Sequence, residues 1–139
     1  MQALDHEKLQ KIQDGIAELA GIYLYCVDAD GNAVTKLSGE PKEGERLLRL
    51  IGKENIEALY NRLCRSSLED QIIEDTSYGN VKTAAVTVRK EGRPTMCWLA
   101  YCVLEKEFTK RGHYADGFLH VTSESAFVQA LDLLRMWLT

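Results

Sequence analysis

Asp28, Asp30 and Asn32 place oxygen-bearing side chains at alternate positions, as the start of a calcium loop does. A calcium loop needs oxygens at positions 1, 3 and 5, a glycine at 6 and a carboxylate at 12. Here Gly31 falls at position 4 and Gly39 at position 12, so the stretch reads as a turn. The imidazoles able to hold haem or a metal are His6, His113 and His120, which fall in a first helical turn or a polar connector and read as surface residues. A flavin-adduct site wants a Cys-Arg pair directly after asparagine, and Leu63 moves Cys64-Arg65 out of register with Asn61. There is no G-x-S-x-G elbow, and Gly39, Glu40 and Gly44 do not make a G-x-x-x-x-G-K phosphate loop. Glu69, Asp70, Glu74 and Asp75 fit a charged edge strand. Cys26, Cys64, Cys97 and Cys102 occur singly, without a C-x-x-C pair, and read as buried thiols of a reducing compartment. The expectation is a protein with no catalytic residues, no metal and no cofactor.

The chain as a whole agrees with a binding role. Its 139 residues are 45% hydrophobic and 27% charged, which suits one folded domain across 1–139. A net charge of -4 argues against a nucleic-acid partner, since phosphate recognition shows as a basic stripe. Lys106, Lys110 and Arg111 are interleaved with Glu105 and Glu107 and read as a solvated loop. The longest apolar run, Met96 to Leu104, is far short of the ~20 residues a membrane-spanning helix needs. The opening MQALDHEKLQ is too polar for a secretory leader, so the expected location is cytoplasmic, with no membrane partner.

Several elements are needed to position any site. Asp5 can cap a helix over 5–20, with Leu9, Ile12, Ile16 and Leu19 at helical spacing and Gly21 ending it. Ile22 to Val27 reads as a strand covered on both faces, the Asp28–Asn32 turn follows, and Ala33-Val34-Thr35 would complete a hairpin. Lys42 to Arg65 reads as two helices parted by Gly52. Gln71–Asp75, Val81–Arg89 and Thr95–Leu104 read as a three-strand meander, with Pro94 at the start of its strand. The last strand is apolar on both alternating sets and should be central. Residues 105–121 give no clear period. Thr122 or Ser123 then caps a helix over 122–139, with Phe127, Leu131, Leu134 and Leu138 at heptad-like spacing. Hairpin-linked strands with a helical insert imply an α+β domain with an antiparallel sheet.

The stretch Leu9-Gln10-Lys11-Ile12-Gln13-Asp14 through Gly21, the strand Ile22 to Val27, the Asp28-Ala29-Asp30-Gly31-Asn32 turn and the Val86–Pro94 hairpin together resemble the PAS superfamily, and within it the PocR-type ligand-sensing domains. The likeness covers most of residues 7–104. The chain departs from the PocR type in its cysteines, with Cys64 alone in the helical insert and no Cys-His pair before the closing strands. The resemblance implies a PAS-like five-stranded antiparallel sheet over 22–104, a ligand cavity between the sheet and the inserted helices, and terminal helices that pair two subunits.

On that basis the expected function is a small-molecule-sensing input domain of a signalling or transcription regulator, acting as a homodimer. A ligand-free dimerisation or interaction module on the same fold is the alternative. The expected ligand residues are Tyr25, Tyr60, Thr83, Ala85, Thr87, Trp98, Ala100 and Cys102, chosen as aromatic walls with a few small and polar neighbours. The expected dimer surface is Leu9, Ile12, Ile16, Phe127, Leu131, Leu134 and Leu138.

Overall fold

In the computed structural model, residues 6–65, 70–90, 93–105 and 115–137 are described. Helix α1 (His6–Ala20) leads into strand β1 (Tyr23–Asp28), and helices α2 (Pro41–Ile51) and α3 (Lys53–Arg65) follow. Strands β2 (Gln71–Asp75), β3 (Val81–Lys90) and β4 (Arg93–Val103) precede the last helix, α4 (Glu124–Trp137). Every strand pair is antiparallel, in the order β1-β4-β3-β2.

The sheet has four strands, which corrects the expected PAS-like five-stranded fold. The segment after the Asp28 turn does return along β1, but only through isolated bridges, Val27 to Ala33 and Leu24 to Ser38. Between them the N–H groups of Val34 and Thr35 both converge on the Cys26 carbonyl, at 2.8 and 3.4 Å. Two residues facing one is a bulge, and it breaks the ladder.

A polar side chain takes over where that ladder fails. Gln13 is fully buried on α1, and its amide nitrogen donates to the carbonyls of Leu24 (3.0 Å) and Lys36 (2.7 Å) and to Ser38 Oγ (2.6 Å). Its carbonyl oxygen accepts from the Thr35 hydroxyl, and that hydroxyl accepts from the Cys26 N–H (2.8 Å). Gln10 adds exposed contacts, accepting from the Lys36 N–H at 2.8 Å. The 33–38 segment is thus tied to α1 by side chains rather than to β1 by a strand ladder.

Helices cover both faces of the sheet. On one face α1 and α4 pack Leu9, Ile16, Phe127, Leu131 and Leu134 against Leu24, Val86, Trp98 and Ala100. On the other, Leu47, Ile51, Ile56, Leu59 and Leu63 of α2 and α3 pack against Tyr25, Ala85, Leu99 and Tyr101. Strand β4, paired on both edges, supplies side chains to both cores, as its two apolar sets require. Gly52 separates α2 from α3 at φ +88°, and Ser123 caps α4 by accepting from the Ala126 N–H (3.1 Å). Pro94 falls at the second residue of β4, beside a register shift at Val88/Arg89.

An unsatisfied buried amide or carbonyl costs about 1–3 kcal/mol, and Gln13 serves several at once. We therefore expect Gln13→Ala to lower the unfolding free energy by about 3 kcal/mol and Gln10→Ala by less than about 1 kcal/mol in urea titrations. Equal costs for the two would contradict the clamp.

Candidate functional site

The cross-strand register separates the sequence-expected ligand residues. Ala85 stands opposite Leu99, Thr83 opposite Tyr101 and Thr87 opposite Cys97, so all three face α2 and α3 with Tyr25 and Tyr60. Trp98, Ala100 and Cys102 stand opposite Val86, Ala84 and Lys82 and belong to the face under α1 and α4. One sheet lies between the two sets, so they cannot line one cavity. The space beneath the inserted helices is filled by Leu47, Leu59, Leu63, Ala85, Leu99 and Tyr101, each no more than 1% exposed. Tyr60 bridges from α3 to the turn, donating to the Ala29 carbonyl at 2.7 Å.

The expected dimer residues are engaged within the chain. Leu9, Ile16, Phe127, Leu131 and Leu134 are buried in the chain's own core, Ile12 packs partly buried against it, and Leu138 lies outside the described residues. The exposed large apolar side chains are different ones, among them Leu19, Leu119 and Met136.

An open groove of about 390 Å³ lies elsewhere, at the end of the molecule where α1 finishes and α2 begins. Asp14, Ala17 and Glu18 form its α1 wall, Ile22 and Tyr23 lie where β1 starts, and Leu37, Ser38, Gly39 and Glu40 close the far side with His120. Among the described residues its lining holds three carboxylates and an imidazole, and no lysine or arginine. Asp14 is braced on α1 by Gln10 (2.9 Å) and accepts from the Ser38 hydroxyl.

Local sequence places the far wall. Glu40 caps α2 by accepting from the Glu43 N–H (2.6 Å), and Pro41 opens the first turn, where its missing N–H costs nothing. Gly39 has φ +110°, and a Cβ there would stand 2.5 Å from Tyr23 Cδ1. A Cβ on Gly44 would stand 2.8 Å from the same atom. These two glycines let the Tyr23 ring slide under α2, where it stacks on Tyr101 at 5.2 Å between centroids.

The stretch 115–122, which has no sequence period, is strapped to α2. Glu43 Oε1 accepts from the N–H groups of Leu119 (2.9 Å) and His120 (3.1 Å), and His120 Nδ1 stands 3.3 Å away. Arg46 donates to the Gly117 carbonyl (2.5 Å) and lies over the Phe118 ring at 4.0 Å. Asn80, buried, both donates to and accepts from the Ala115 backbone. Burial raises the Glu43 carboxyl, but the His120 and Leu119 N–H groups and the His120 ring outweigh it and hold the group below its usual 4.5. Sequence reasoning missed Asp14, Glu18, Glu40 and Glu43, and set His120 aside as a surface residue. The one available signal was the N-terminal helix pattern Glu40-Pro41-x-Glu43.

The second groove, of about 370 Å³, runs between α3 and the β2–β3 turn. Thr83 is the sequence-expected ligand residue in its lining, and an Arg62–Glu74 ion pair lies along it. Among the described residues the buried thiols Cys26, Cys97 and Cys102 are each pushed up by burial to about 12, so they are thiols and not nucleophilic thiolates at neutral pH. His113 lies outside the described residues.

Only Cys64 is partly accessible among the four. A disulfide exchange reagent at pH 8 should therefore modify no more than one thiol rapidly in the folded chain and all four after unfolding in urea. Rapid modification of two or more in the folded chain would contradict the burial of the other three.

No protein-family model matches the chain, and no curated protein does. Among solved structures, MglB of Myxococcus xanthus aligns over 99% of this chain and 92% of its own length, at 15% identity and a TM-score of 0.47. At that score the likeness carries no argument about what this chain does.

Proposed function

We propose that the chain is a non-catalytic regulatory module that binds a small cationic ligand in the acidic groove between the end of α1 and the start of α2. The observation that carries this reading is the groove's lining, in which Asp14, Glu18 and Glu40 meet with no lysine or arginine among the described residues that line it. Like-signed carboxylates around an open concavity focus a negative potential that draws cations and repels anions. The groove also touches α1, β1, the start of α2 and the 115–122 strap, so an occupant would contact elements from both ends of the chain. A ligand can shift only an equilibrium between states that it binds unequally.

A second reading, an interaction module that associates through its surface, is favoured by Leu19 and Leu119, which are 90% and 86% exposed. In sedimentation, a dimer lost on Leu19→Glu or Leu119→Glu would support it.

The groove reading is tested by thermal denaturation with a panel of polyamines and amino-acid amines set against carboxylates and phosphates. A ligand present at ~100-fold above its Kd stabilises by about 2.7 kcal/mol, which is several degrees for a domain of this size. We expect amines alone to raise the melting temperature, and Glu18→Gln to reduce the rise at fixed ligand concentration. Stabilisation by anions, or an amine effect untouched by Glu18→Gln, would refute the assignment.

A further inference from the structure

The two edges of the sheet differ. The outer side of β1 is bridged by the returning segment at Ala33 and Ser38, whereas β2 has a neighbouring strand on one side alone among the described residues. Hydrogen-bond parity shows which of its backbone groups are left over. One step beyond either end of the β2–β3 register, the Asp70 carbonyl accepts from the Thr87 N–H at 2.8 Å and the Thr76 N–H donates to the Val81 carbonyl at 3.4 Å. In an antiparallel ladder every second residue bonds to the same neighbour. Ile72 and Glu74 therefore face β3, and the N–H and C=O groups of Gln71, Ile73 and Asp75 point outward.

An open edge is a template for another strand, and native chains block it with charge. On β2 that charge is already compensated within the chain: Glu74 pairs with Arg62 of α3, and Asp75 lies 3.6 Å from Lys82 of β3. The apolar side chains of the edge are incompletely covered. Ile72 packs partly buried on the core under α2 and α3, and Ile73 on the core under α1 and α4, whereas Ala84, Ala85 and Val86 beside them on β3 are fully buried. A strand added here would extend both cores.

The residues of the edge select its occupant. Two copies related by a two-fold axis through Ile73 pair antiparallel, with Ile73 opposite Ile73, Gln71 opposite Asp75 and Ile72 opposite Glu74. The outward groups of one copy then meet those of the other, and no carboxylate stands opposite a carboxylate. Sliding one copy to the next allowed register sets Glu74 against Glu74 in one direction and Asp70 against Glu74 in the other. Like charges directly opposite destabilise a pair, so hydrogen bonding and charge select the same register.

We propose that β2 is a self-association edge, through which two copies of this chain join their sheets into one continuous antiparallel sheet. This is independent of the groove reading, and it uses residues other than Leu19 and Leu119. Five strand residues from each copy fall well short of the roughly 20–30 of a standard stable interface, so the dimer forms reversibly with concentration.

The test is light scattering and amide hydrogen exchange of the full chain across a concentration series. We expect a dimer mass at high concentration and a matching gain of protection at the Ile73 and Asp75 N–H groups, with Ile72 and Glu74 protected throughout. Association through the helices would not produce that alternation. Asp75→Pro removes an outward N–H at a side chain that is 85% exposed and leaves the ladder to β3 intact. It should weaken the dimer at least tenfold, while the dilute chain melts within about 3 °C of the parent. A monomer at millimolar concentration, Ile73 and Asp75 amides that exchange equally fast at every concentration, or a dimer unchanged in Asp75→Pro would overturn the proposal. If Asp75→Pro does not fold, the exchange pattern of the parent chain decides alone.

Discussion

The Gln13 carboxamide is the interaction on which the arrangement of the groove depends. A polar group buried on a helix is tolerated only when its donors and acceptors are met, and Gln13 meets them with the Leu24 and Lys36 carbonyls, the Ser38 hydroxyl and the Thr35 hydroxyl. Each of these partners lies on β1 or the segment beside it, so the clamp sets how far that segment stands from α1. The chain then passes through Gly39 into the Glu40 cap, which puts the far wall of the groove opposite Asp14 and Glu18. A bulged return segment, the side-chain clamp beside it and a locally capped helix together set the groove's walls.

Much of the fold was legible in the sequence, and what was missed has physical causes. Periodicity located α1, β1, the Gly52 break, the meander and α4 because each buries a face whose spacing is intrinsic to its own backbone. The hairpin partner of β1 was misjudged because turn chemistry at Asp28–Asn32 says where the chain reverses, not whether the returning backbone keeps its ladder. Gln13 was legible in principle, lying four residues after Leu9 and three before Ile16 on the buried stripe, but its polarity hid its position.

The expected binding residues were divided between two faces for a different reason. Alternation within β3 and β4 was read correctly, yet which face of one strand shares a side with which face of the next is set by register, and a slip of one residue exchanges the faces. Ala85 therefore looks toward α3 while Trp98 looks toward α4. His120 and Glu43 could not be associated at all, since they are 77 residues apart and the strap that joins them has no periodic pattern.

Among the described residues the sheet is packed on both faces beneath its helices, and the grooves lie at its margins. Two such margins, the α1–α2 groove and the groove beside α3, differ in charge. The α1–α2 groove is lined by carboxylates alone among formally charged side chains, apart from titratable His120, whereas the groove beside α3 pairs Arg62 with Glu74. No helix among the described residues is long and apolar enough to cross a membrane. The most direct test of the central claim is amide NMR of the labelled chain with substoichiometric manganese(II), whose unpaired electrons broaden nearby signals. Occupation of the acidic groove predicts selective broadening at Asp14, Glu18, Gly21, Gly39 and His120, with Glu74 to Tyr78 unaffected. Broadening centred on the α3 groove, or spread evenly over the surface carboxylates, would contradict it.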